Sequence, residues 1–423
     1  MSGRPWPLGS PPSAGNDPLD AVVAAVAAHY AAGAQRCDLR AAEELLARLT
    51  PPRSAHRVVV VGTNGKSSTT TYLARLLTTA GRRTGSYTSP HLERWDQRIQ
   101  VDLVPVGAQR FAEALQGAHA AAAGADGAVG DGLGFFDVLT FAAELVFGAA
   151  GVEYGIFEAG IGGRLDATRC LAAPLVLLTN NGEDHEALLG ADPVQRLREK
   201  ALVTPRGGTL LASALPVVLE AELRRIGAAA GFDIEIAAAD PGPPPPGLPR
   251  YQAANLALAR AAARRLGVGD DVVVTPGIDG RFDMGMVDGV AYAADVAHNP
   301  TAWRAFLDDL PAVPHVMVCA ITEPRDPGPL VAALLGARGK VAHVVVTGTT
   351  VRSTQDPGSI AAALVSAGVE AIALALPTAA FAAAVAAART SARPLAVFGS
   401  NYLVADFLAW VGDRPGWPLA API

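Results

Sequence analysis

The sequence predicts an α/β protein with a larger parallel-sheet domain followed by a smaller, Rossmann-like α/β domain. Apolar, strand-like runs at 57–62, 151–160 and 175–180 alternate with helix-like segments such as FFDVLTFAAELVFGAA. This alternation is typical of a mostly parallel sheet with helices on both faces. A second alternation of strand-like and helix-like segments begins after Gly285. We therefore predict one domain at 17–285 and a second at 286–423.

Length, charge and composition limit the class of protein. The chain has 423 residues, of which 50% are hydrophobic, enough for two or three domains with a substantial core. The formal net charge of −6 argues against a nucleic-acid partner. No apolar run approaches the roughly 18 residues of a membrane span, so no membrane partner is expected.

The cysteines and the N-terminus point to the same compartment. Cys37, Cys170 and Cys319 are far apart and lack metal-ligand spacing, as expected for reduced thiols. Residues 1–16 are rich in Pro, Gly and Ser, without a basic start and an apolar run. They predict a flexible tail and not a secretion signal. We therefore expect a cytoplasmic protein, and we also expect a monomer.

The remaining elements follow in chain order. Residues 17–49 are helical by pattern and end before a pair of prolines, which cannot continue a helix. The proline-rich stretch at 240–250 predicts an exposed loop within the first domain. The strand-like segments of the second domain are VAYAADVAHNP, VPHVMVCAIT, AHVVVTGTT, VEAIALAL and LAVFGSN.

The segment VVVVGTNGKSSTTTYLARLL reads as a buried strand, a glycine-bounded turn and a helix. Glycines allow the backbone to approach an anion, successive N–H groups turn inward, and the helix N-terminus adds partial positive charge. Lys66 can reach the terminal phosphates of a nucleotide and Ser67 can contact Mg²⁺, so the segment predicts use of ATP or GTP. Val60 stands where the general P-loop pattern has its first glycine. A plain glycine turn with a surface lysine is therefore the alternative.

Polar residues also follow the next two strand-like runs of the first domain. Glu158 ends one run, with Arg164 and Asp166 just after it, and Asp184 and His185 follow the other. Because the carboxyl ends of parallel strands meet at one edge of a sheet, we treat these segments and the phosphate loop as one site. A buried carboxylate there can face a hydrated Mg²⁺ ion. A structural ion pair between Glu158 and Arg164 is the alternative.

Several other polar residues are ambiguous by themselves. Ser89 and His91 lie in a Ser-Pro-His segment that is usually only a turn, and Lys200 follows Glu199 on a helix where a solvated lysine is ordinary. In the second domain, DVAHNP places Asp295 and His298 at a strand-to-helix turn, with Arg281 upstream. We expect the second-domain residues to close over a nucleotide and exclude water.

The ordered set of motifs resembles the folylpolyglutamate synthases and dihydrofolate synthases of the ATP-dependent Mur ligase superfamily. The set is GTNGKSS, YTSPHL, DQRI, FEAGIGGRLDATR, GEDH, REKA, YQAAN, GRFD, DVAHNP and FGSNYLV, from about residue 20 to about residue 410. The resemblance implies a reaction in which ATP phosphorylates a carboxylate and an amino group attacks the acyl phosphate to form an amide. It also implies the role of each residue below.

By this resemblance, the catalytic residues are Lys66, Lys200 and His298. The ATP-binding residues are Gly62, Thr63, Asn64, Gly65, Lys66, Ser67, Ser68, Asn255, Arg281 and Asp295. The metal-binding residues are Ser67, Ser89, Glu158, His185 and Lys200. Ser89 and Glu158 would hold one magnesium ion and His185 a second, with Lys200 carbamylated by carbon dioxide so that it can help to bind metal. The substrate residues are Asp166 and Ala167 for a pterin-bearing acceptor, with Ser400 and Tyr402 beside His298 for the incoming amino acid, typically glutamate. The implied cofactors are ATP and Mg²⁺, with K⁺ as a further ion.

Several positions depart from the family pattern. Ser67 stands where the folate enzymes typically have glycine, Gly134 and Asp137 replace Thr and Glu of a Thr-x-Phe-Glu segment, and Asn180 and Asn181 replace small or hydrophobic residues. The family's His-Gln is here Tyr-Gln at 251–252. These departures leave open a sibling ligase acting on another carboxylic acid. Two further alternatives are a P-loop kinase or NTPase, which does not explain the second domain, and a degenerate ATP-binding protein, which the presence of Lys66, Glu158, His185 and Lys200 opposes.

Overall fold

A computed structural model describes residues 18–30, 37–49, 54–123, 132–237, 248–274 and 277–412. The chain divides into two compact units, residues 1–276 and residues 277–423, and the predicted α/β class of both is confirmed. The division lies before the boundary drawn at 285, because residues 283–287 form a strand of the second sheet. The expected tail at 1–16 lies outside the described residues, as does most of the proline-rich stretch.

The first unit is built on an eight-stranded sheet. Its strand order is β4-β3-β2-β5-β1-β6-β7-β8, and only β3 and β4 pair antiparallel to their neighbours. The strands are β1 (His56–Val61), β2 (Thr84–Tyr87), β3 (Ile99–Val101), β4 (Val104–Pro105), β5 (Tyr154–Glu158), β6 (Leu175–Leu178), β7 (Thr209–Ala212) and β8 (Asp233–Ile236).

Helices connect the strands of the first unit, as expected for parallel strands that need crossover connections. The predicted helical region at 17–49 contains two helices, and Asp38 caps the second by accepting a hydrogen bond from Arg40 N. The helices are α1 (Pro18–His29), α2 (Leu39–Arg48), α3 (Lys66–Thr79), α4 (Ala108–Ala123), α5 (Phe135–Ala149), α6 (Glu186–Leu189), α7 (Pro193–Ala201), α8 (Val217–Ala230) and α9 (Arg250–Arg265).

The core of the first unit explains why its central strand is uniformly apolar. The valines at 58–61 in β1 are at most 1% exposed, because β5 and β6 flank the strand and helices cover the sheet. Strands buried on both faces read as continuous apolar runs without alternation. The apolar run therefore fixes β1 as a central strand and places the glycine turn at its carboxyl end.

The second unit has a six-stranded sheet of order β13-β12-β11-β14-β10-β9, in which only β9 is antiparallel. All five strand-like segments named from the sequence are strands. The strands are β9 (Asp283–Val287), β10 (Val290–Asp295), β11 (His315–Cys319), β12 (Val341–Thr347), β13 (Ala371–Leu374) and β14 (Leu395–Phe398). The helices are α10 (Pro300–Asp309), α11 (Gly328–Gly336), α12 (Pro357–Ser366), α13 (Pro377–Ser391) and α14 (Asn401–Gly412).

Five strands were not predicted: β3, β4, β7, β8 and β9. All five lie at or next to a sheet edge and are short, so they carry little apolar pattern in the sequence. Across the described ranges, every helix falls short of the length and apolarity that a bilayer crossing requires.

Candidate active site

The turn between β1 and α3 is built on two glycines that no other residue could replace without a clash. Gly62 and Gly65 have φ angles of 149° and 81°, in the region that favours glycine. A Cβ atom at residue 62 would lie 1.9 Å from Thr179 Oγ1, and one at residue 65 would lie 2.2 Å from Asn255 Oδ1. These two glycines thus allow Thr179 and Asn255 to approach the backbone of the turn closely at the N-terminus of α3.

The Lys66 side chain folds back over this turn. Its Nζ donates hydrogen bonds to the carbonyl oxygens of Gly62, at 3.0 Å, and Thr63, at 3.1 Å. The ammonium group therefore lies over the loop at the start of α3, where the helix dipole already favours an anion. The contact with nucleotide phosphates that the sequence predicts for Lys66 stays a prediction.

The segment after β6 holds the turn from the other side. Asn180 Oδ1 accepts hydrogen bonds from Thr63 N at 3.2 Å and Asn64 N at 3.0 Å, and Asn180 Nδ2 donates to Asn64 O at 3.0 Å. Thr179 Oγ1 donates to Asn64 O at 2.6 Å, and Thr63 Oγ1 donates to Gly182 O at 2.9 Å. Residues 179–182 and the glycine turn are therefore one hydrogen-bonded unit.

A second layer connects α9 with α3. Gln252 Nε2 donates to Ser68 Oγ at 3.1 Å, and Asn255 Nδ2 donates to Gln252 Oε1 at 3.2 Å. Gln252 and Asn255 are at most 7% exposed. The Asn255 amide, which the resemblance assigns to ATP, therefore lies directly beside Gly65 in the phosphate-loop turn.

The carboxyl ends of β2 and β5 bring two predicted metal residues together. The Ser89 N–H donates to Glu158 Oε2 at 3.0 Å, and the Glu158 side chain is almost fully buried. Arg164, considered above as a structural partner of Glu158, pairs instead with Glu199, with 2.9 Å between Arg164 Nε and Glu199 Oε1. Glu158 therefore occupies the strand end without that ion pair.

Lys200 is a buried residue and not a surface lysine. It is 1% exposed, and its Nζ donates to Asn181 Oδ1 at 2.9 Å. Burial lowers the pKa of the Lys200 amine to about 7, with the positive charges of Lys66 and Arg196 adding to the effect. An amine with this pKa is substantially neutral at physiological pH, and only the neutral amine is a nucleophile.

His185 lies between β6 and α7, in the loop that also carries Asn181. It is the N-cap residue of the short helix α6 and has a left-handed backbone, with φ of 52°. Its N–H donates to Asp184 Oδ1 at 2.9 Å. The chain thus turns sharply at His185 and leaves its ring partly exposed.

Among these residues, hard oxygen donors suit a magnesium ion. Glu158 supplies a carboxylate, and Ser67 and Ser89 supply hydroxyl groups. Within the described ranges, no three His, Cys, Asp or Glu side chains stand close enough together to hold a metal ion. Mg²⁺ commonly takes one or two protein carboxylates and completes its shell with phosphates and water, so the residues present fit it.

The residues assigned to the acceptor substrate lie at the end of β5 and beside α5. Asp166 Oδ2 accepts from Gly160 N at 3.0 Å and its Oδ1 accepts from Thr168 N at 3.0 Å; Ala167 is buried. Asp137 Oδ2 accepts from Gly134 N at 2.7 Å. Burial raises the pKa of Asp137 to about 7, and the nearby Asp166 carboxylate adds to the effect.

A cluster of rings surrounds His91. The Arg98 Nε donates to His91 Nδ1 at 2.8 Å, and the Arg98 guanidinium lies 4.3 Å from the Trp95 ring centroid and 5.5 Å from that of Phe136. Burial, and then the charge of Arg98, lowers the pKa of His91 to about 3. His91 is therefore a neutral hydrogen-bond acceptor for Arg98 and not a proton donor at neutral pH.

The second unit carries its predicted residues at the carboxyl end of β10. Asp295 accepts hydrogen bonds from Phe282 N, at 2.8 Å, and Ala297 N, at 2.7 Å, so its carboxylate stabilises the bend after Arg281. His298 Nδ1 lies 2.9 Å from Val296 O. This contact sets the orientation of the ring, with Nε2 on the opposite side from Val296 O. These residues form a local group around the β10–α10 turn.

Ser400 and Tyr402 lie at the start of α14, directly after β14. Ser400 Oγ accepts a hydrogen bond from Tyr402 N at 3.2 Å, and Ser400 is 1% exposed. Because β14 neighbours β10, the ends of these two parallel strands share one edge of the second sheet. Ser400 and Tyr402 are thus on the same edge as His298.

Sequence reasoning missed the contribution of Thr179 and Gln252 and treated Asn180 and Asn181 only as departures. The position of these four residues in the sequence could have indicated a role, because buried polar side chains at a strand end or beside the phosphate loop need hydrogen-bond partners. The sequence did not show which partners they have, because the hydrogen bonds join residues more than a hundred positions apart for Asn180 and Gln252.

Comparison with known proteins agrees with this architecture. Residues 280–401 match the model of the Mur ligase, glutamate ligase domain. The chain is 30% identical over 328 residues, 69% of its length, to a probable bifunctional folylpolyglutamate synthase/dihydropteroate synthase of Halobacterium salinarum, and the match covers 40% of that protein. The matches to the first curated relatives span less than half of the relatives' length.

Solved structures show the same fold over nearly the whole chain. Folylpolyglutamate synthase from Mycobacterium tuberculosis complexed with ADP has a TM-score of 0.81 at 23% identity, covering 94% of this chain and 100% of that one. The bifunctional folylpolyglutamate synthase/dihydrofolate synthase from Yersinia pestis, complexed with AMPPNP and Mn, has a TM-score of 0.77 at 25% identity, covering 93% of this chain and 98% of that one.

The paired α/β units, with a glycine turn before α3 and a matched glutamate ligase domain, are those of the Mur ligase class. Within that class, the chain is similar to the folylpolyglutamate synthases/dihydrofolate synthases.

Proposed function

We propose that this protein is an ATP-dependent, ADP-forming ligase that joins L-glutamate to the carboxylate of a folate through an acyl phosphate. The observation that carries the proposal is the phosphate-loop turn, in which Lys66 lies over the Gly62 and Thr63 carbonyls at the N-terminus of α3. Relatives and structural neighbours named folylpolyglutamate synthase, including complexes with ADP, support it.

The first chemical step is transfer of the γ-phosphoryl group of ATP to the acceptor carboxylate. The backbone N–H groups at the start of α3 and the Lys66 ammonium would hold the phosphates and counter the charge that develops in transfer. Magnesium, held by Glu158, Ser89 and Ser67, supplies charge neutralisation between the phosphates and the carboxylate when it is bound. The Yersinia pestis neighbour with AMPPNP and Mn supports a divalent ion at this step.

The second step is attack of the amino group of glutamate on the acyl phosphate, with release of inorganic phosphate. In the proposal, His298, Ser400 and Tyr402 bind the amino acid at the edge of the second sheet. A structural neighbour, a bifunctional folylpolyglutamate synthase/dihydrofolate synthase with Mn, AMPPNP and L-glutamate bound, supports glutamate as the amine. Asp166 and Ala167 would orient the acceptor.

Lys200 has the properties that carbamylation needs. Its amine is buried, has a pKa lowered to about 7 and is held by Asn181, so the neutral form can attack carbon dioxide and release one proton. The resulting carbamate would turn a buried neutral amine into an anion, which could share a metal ion with His185. We also propose that the protein uses K⁺ as a further ion, lies in the cytoplasm and is a monomer.

A second candidate is a sibling ligase that joins an amino acid to a different carboxylic acid. The observation that favours it is the Gly134–Asp137 contact at the start of α5, where the family's Thr and Glu are absent. This contact lies beside Asp166, which the proposal assigns to the acceptor. In the proposal, a substitution at residues 134–137 would change which acceptor acid is bound and would leave the ATP-binding residues in place.

The test is ADP release by the purified protein with Mg-ATP, L-glutamate and either dihydropteroate or tetrahydrofolate, with products weighed by mass spectrometry. The expected result is a mass gain of one glutamate on either acceptor. Extension of dihydropteroate would indicate dihydrofolate synthase activity, and extension of tetrahydrofolate would indicate folylpolyglutamate synthase activity. Folded protein that binds ATP but extends neither acceptor would favour the sibling ligase. Turnover without glutamate would instead indicate a kinase or NTPase.

A further inference from the structure

We infer that residues 179–182 form a clasp that holds the phosphate-loop turn in its nucleotide-binding conformation, with Asn180 as the principal positioning residue. The inference rests on the proposed function, since it names what prepares the same loop for the nucleotide. Asn180 was noticed in the sequence only as a departure, and the structure gives it a place in the site.

The first argument is the number and direction of the hydrogen bonds made by one side chain. Asn180 Oδ1 accepts from two successive backbone N–H groups, those of Thr63 and Asn64, while Asn180 Nδ2 donates to Asn64 O. One amide therefore fixes the orientation of successive peptide groups: Thr63–Asn64 through the Asn64 N–H, and Asn64–Gly65 through the Asn64 C=O. Fixing successive peptide groups removes their freedom to rotate, which is what a preorganised anion site needs.

The second argument is that the neighbouring residues of the clasp act on the same loop. Thr179 Oγ1 donates a hydrogen bond to Asn64 O at 2.6 Å, and Val61 O lies 3.3 Å from the same hydroxyl group. It also lies so close to Gly62 that a Cβ there would be 1.9 Å away. Thr63 Oγ1 returns a bond to Gly182 O. Because Thr179, Asn180 and Gly182 all bond to the glycine turn, the contact is not a single accidental hydrogen bond.

The third argument is position. β6 pairs with β1 along its whole length, from Leu175 beside Val58 to Leu178 beside Val61. The clasp and the glycine turn therefore leave the sheet side by side from two adjacent strands. The pairing of β1 with β6 sets the distance between the clasp and the glycine turn. The clasp can therefore hold the turn in one position.

An opposite role is also chemically conceivable. The Thr63 and Asn64 N–H groups are donors of the kind that phosphate oxygens accept, so Asn180 could occupy them as a plug that the nucleotide must displace. The bond from Asn180 Nδ2 to Asn64 O and the Thr179 bonds argue for the clasp, because a plug has no need to hold a carbonyl. The two roles predict opposite changes in nucleotide affinity.

The experiment compares wild type, Asn180→Ala and Thr179→Val, with Gln109→Ala as the control. Gln109 is an exposed amide on α4 whose side chain bonds only locally, to Glu113. Titration calorimetry with Mg-ADP should show an affinity loss of about fivefold to twentyfold in Asn180→Ala, since two to three hydrogen bonds are lost. Thr179→Val, which keeps the side-chain shape, should show a smaller loss in the same direction, and Gln109→Ala none.

Hydrogen–deuterium exchange provides a readout independent of turnover. In nucleotide-free protein, Asn180→Ala should speed exchange in peptides covering 62–66 and leave peptides from the second unit unchanged. In steady-state assays, KM for ATP should rise while KM for glutamate stays within about twofold of wild type. A purely structural role would lower the melting temperature and change all of these quantities together.

The outcomes separate the inference from the proposed function. Tighter Mg-ADP binding by Asn180→Ala, or unchanged exchange at 62–66, would overturn the clasp. Wild-type protein that binds no Mg-ADP would contradict the proposed function, while the exchange comparison in the nucleotide-free protein would still decide whether the clasp exists.

Discussion

The Ser89 N–H donates a hydrogen bond to Glu158 Oε2 at 3.0 Å, across 69 positions of sequence. The bond joins the ends of β2 and β5, which pair in parallel from Thr84 beside Tyr154 to Tyr87 beside Phe157. Two residues that the resemblance assigns to one metal ion are thus adjacent because their strands are adjacent. The bond also orients the Glu158 carboxylate, which is buried at the strand end.

Replacing Lys66 should abolish turnover. Lys66 lies over the carbonyls of the glycine turn, and in the proposal its ammonium group counters the charge of the transferring phosphoryl group. We expect Lys66→Ala to lower kcat/KM by at least about a hundredfold, the scale of losing a charged group that stabilises a transition state. Substantial ligation by a folded Lys66→Ala variant would mean that the phosphate assignment is wrong.

Replacing Lys200 should give a defect that small anions repair. Lys200→Ala removes the buried amine that Asn181 holds, and with it the carbamate that the proposal places there. We expect activity well below wild type, with partial recovery on addition of short carboxylates such as acetate or formate, which can enter the vacated space. The matched control is Arg198→Ala, on the same helix, which should retain activity. A Lys200→Ala variant with wild-type activity would rule out the carbamate.

The pKa of Asp137 predicts a pH-dependent cost in stability. The folded-state pKa is raised to about 7, above the ordinary value of 3.8, so the folded protein binds this proton more tightly than the unfolded chain does. The associated stability is present at pH 4 and is lost as pH rises towards 7 and above. Asp137→Asn should therefore be more stable than wild type at pH 8, by about 1 to 3 kcal/mol.

Denaturant unfolding at pH 4.5 and pH 8 measures this effect. The stabilisation by Asp137→Asn should be present at pH 8 and nearly vanish at pH 4.5. Asp233→Asn changes an exposed carboxylate at the start of β8 and serves as the control, with little change at either pH. A stabilisation of equal size at both pH values would show that ionisation of Asp137 is not its cause.

A buried ion pair between Glu144 and Arg57 should contribute strongly to the stability of the first unit. Glu144 is 3% exposed and accepts hydrogen bonds from Arg57 Nε, at 2.9 Å, and Ser54 Oγ, at 3.1 Å. Glu144→Ala leaves the Arg57 guanidinium without this carboxylate, and removing one partner of a buried pair costs about 3 to 5 kcal/mol. We expect the lower end, because Arg57 is 15% exposed.

The exposed pair between Arg82 and Glu153 gives a matched comparison. Its side chains are 44% and 35% exposed, so Glu153→Ala should cost no more than about 1 kcal/mol. Chemical denaturation of both variants measures the two costs under the same conditions. Equal costs would show that burial of Glu144 does not determine its contribution.

How much of the site the sequence predicts depends on how local each interaction is. The turn at Gly62 and Gly65 was predictable, since the glycines, Lys66 and the helix that follows are consecutive and their geometry is set by the backbone. The burial of Lys200 was not predictable from its own helix, where it reads as a solvated lysine. The resemblance alone selected it, and only packing shows that its amine is enclosed and bonded to Asn181.

The same distinction holds for the fold. By itself, the sequence determined the α/β class, the central apolar strands and the order of the motifs, because periodicity and turn chemistry are properties of neighbouring residues. The tertiary structure decided the pairing of Arg164 with Glu199, the clasp of Asn180 on Asn64, and the edge strands β8 and β9. Each of these contacts joins segments that are distant in sequence and that only the folded sheet brings together. Which side chains become buried and which hydrogen bonds form is decided by that arrangement.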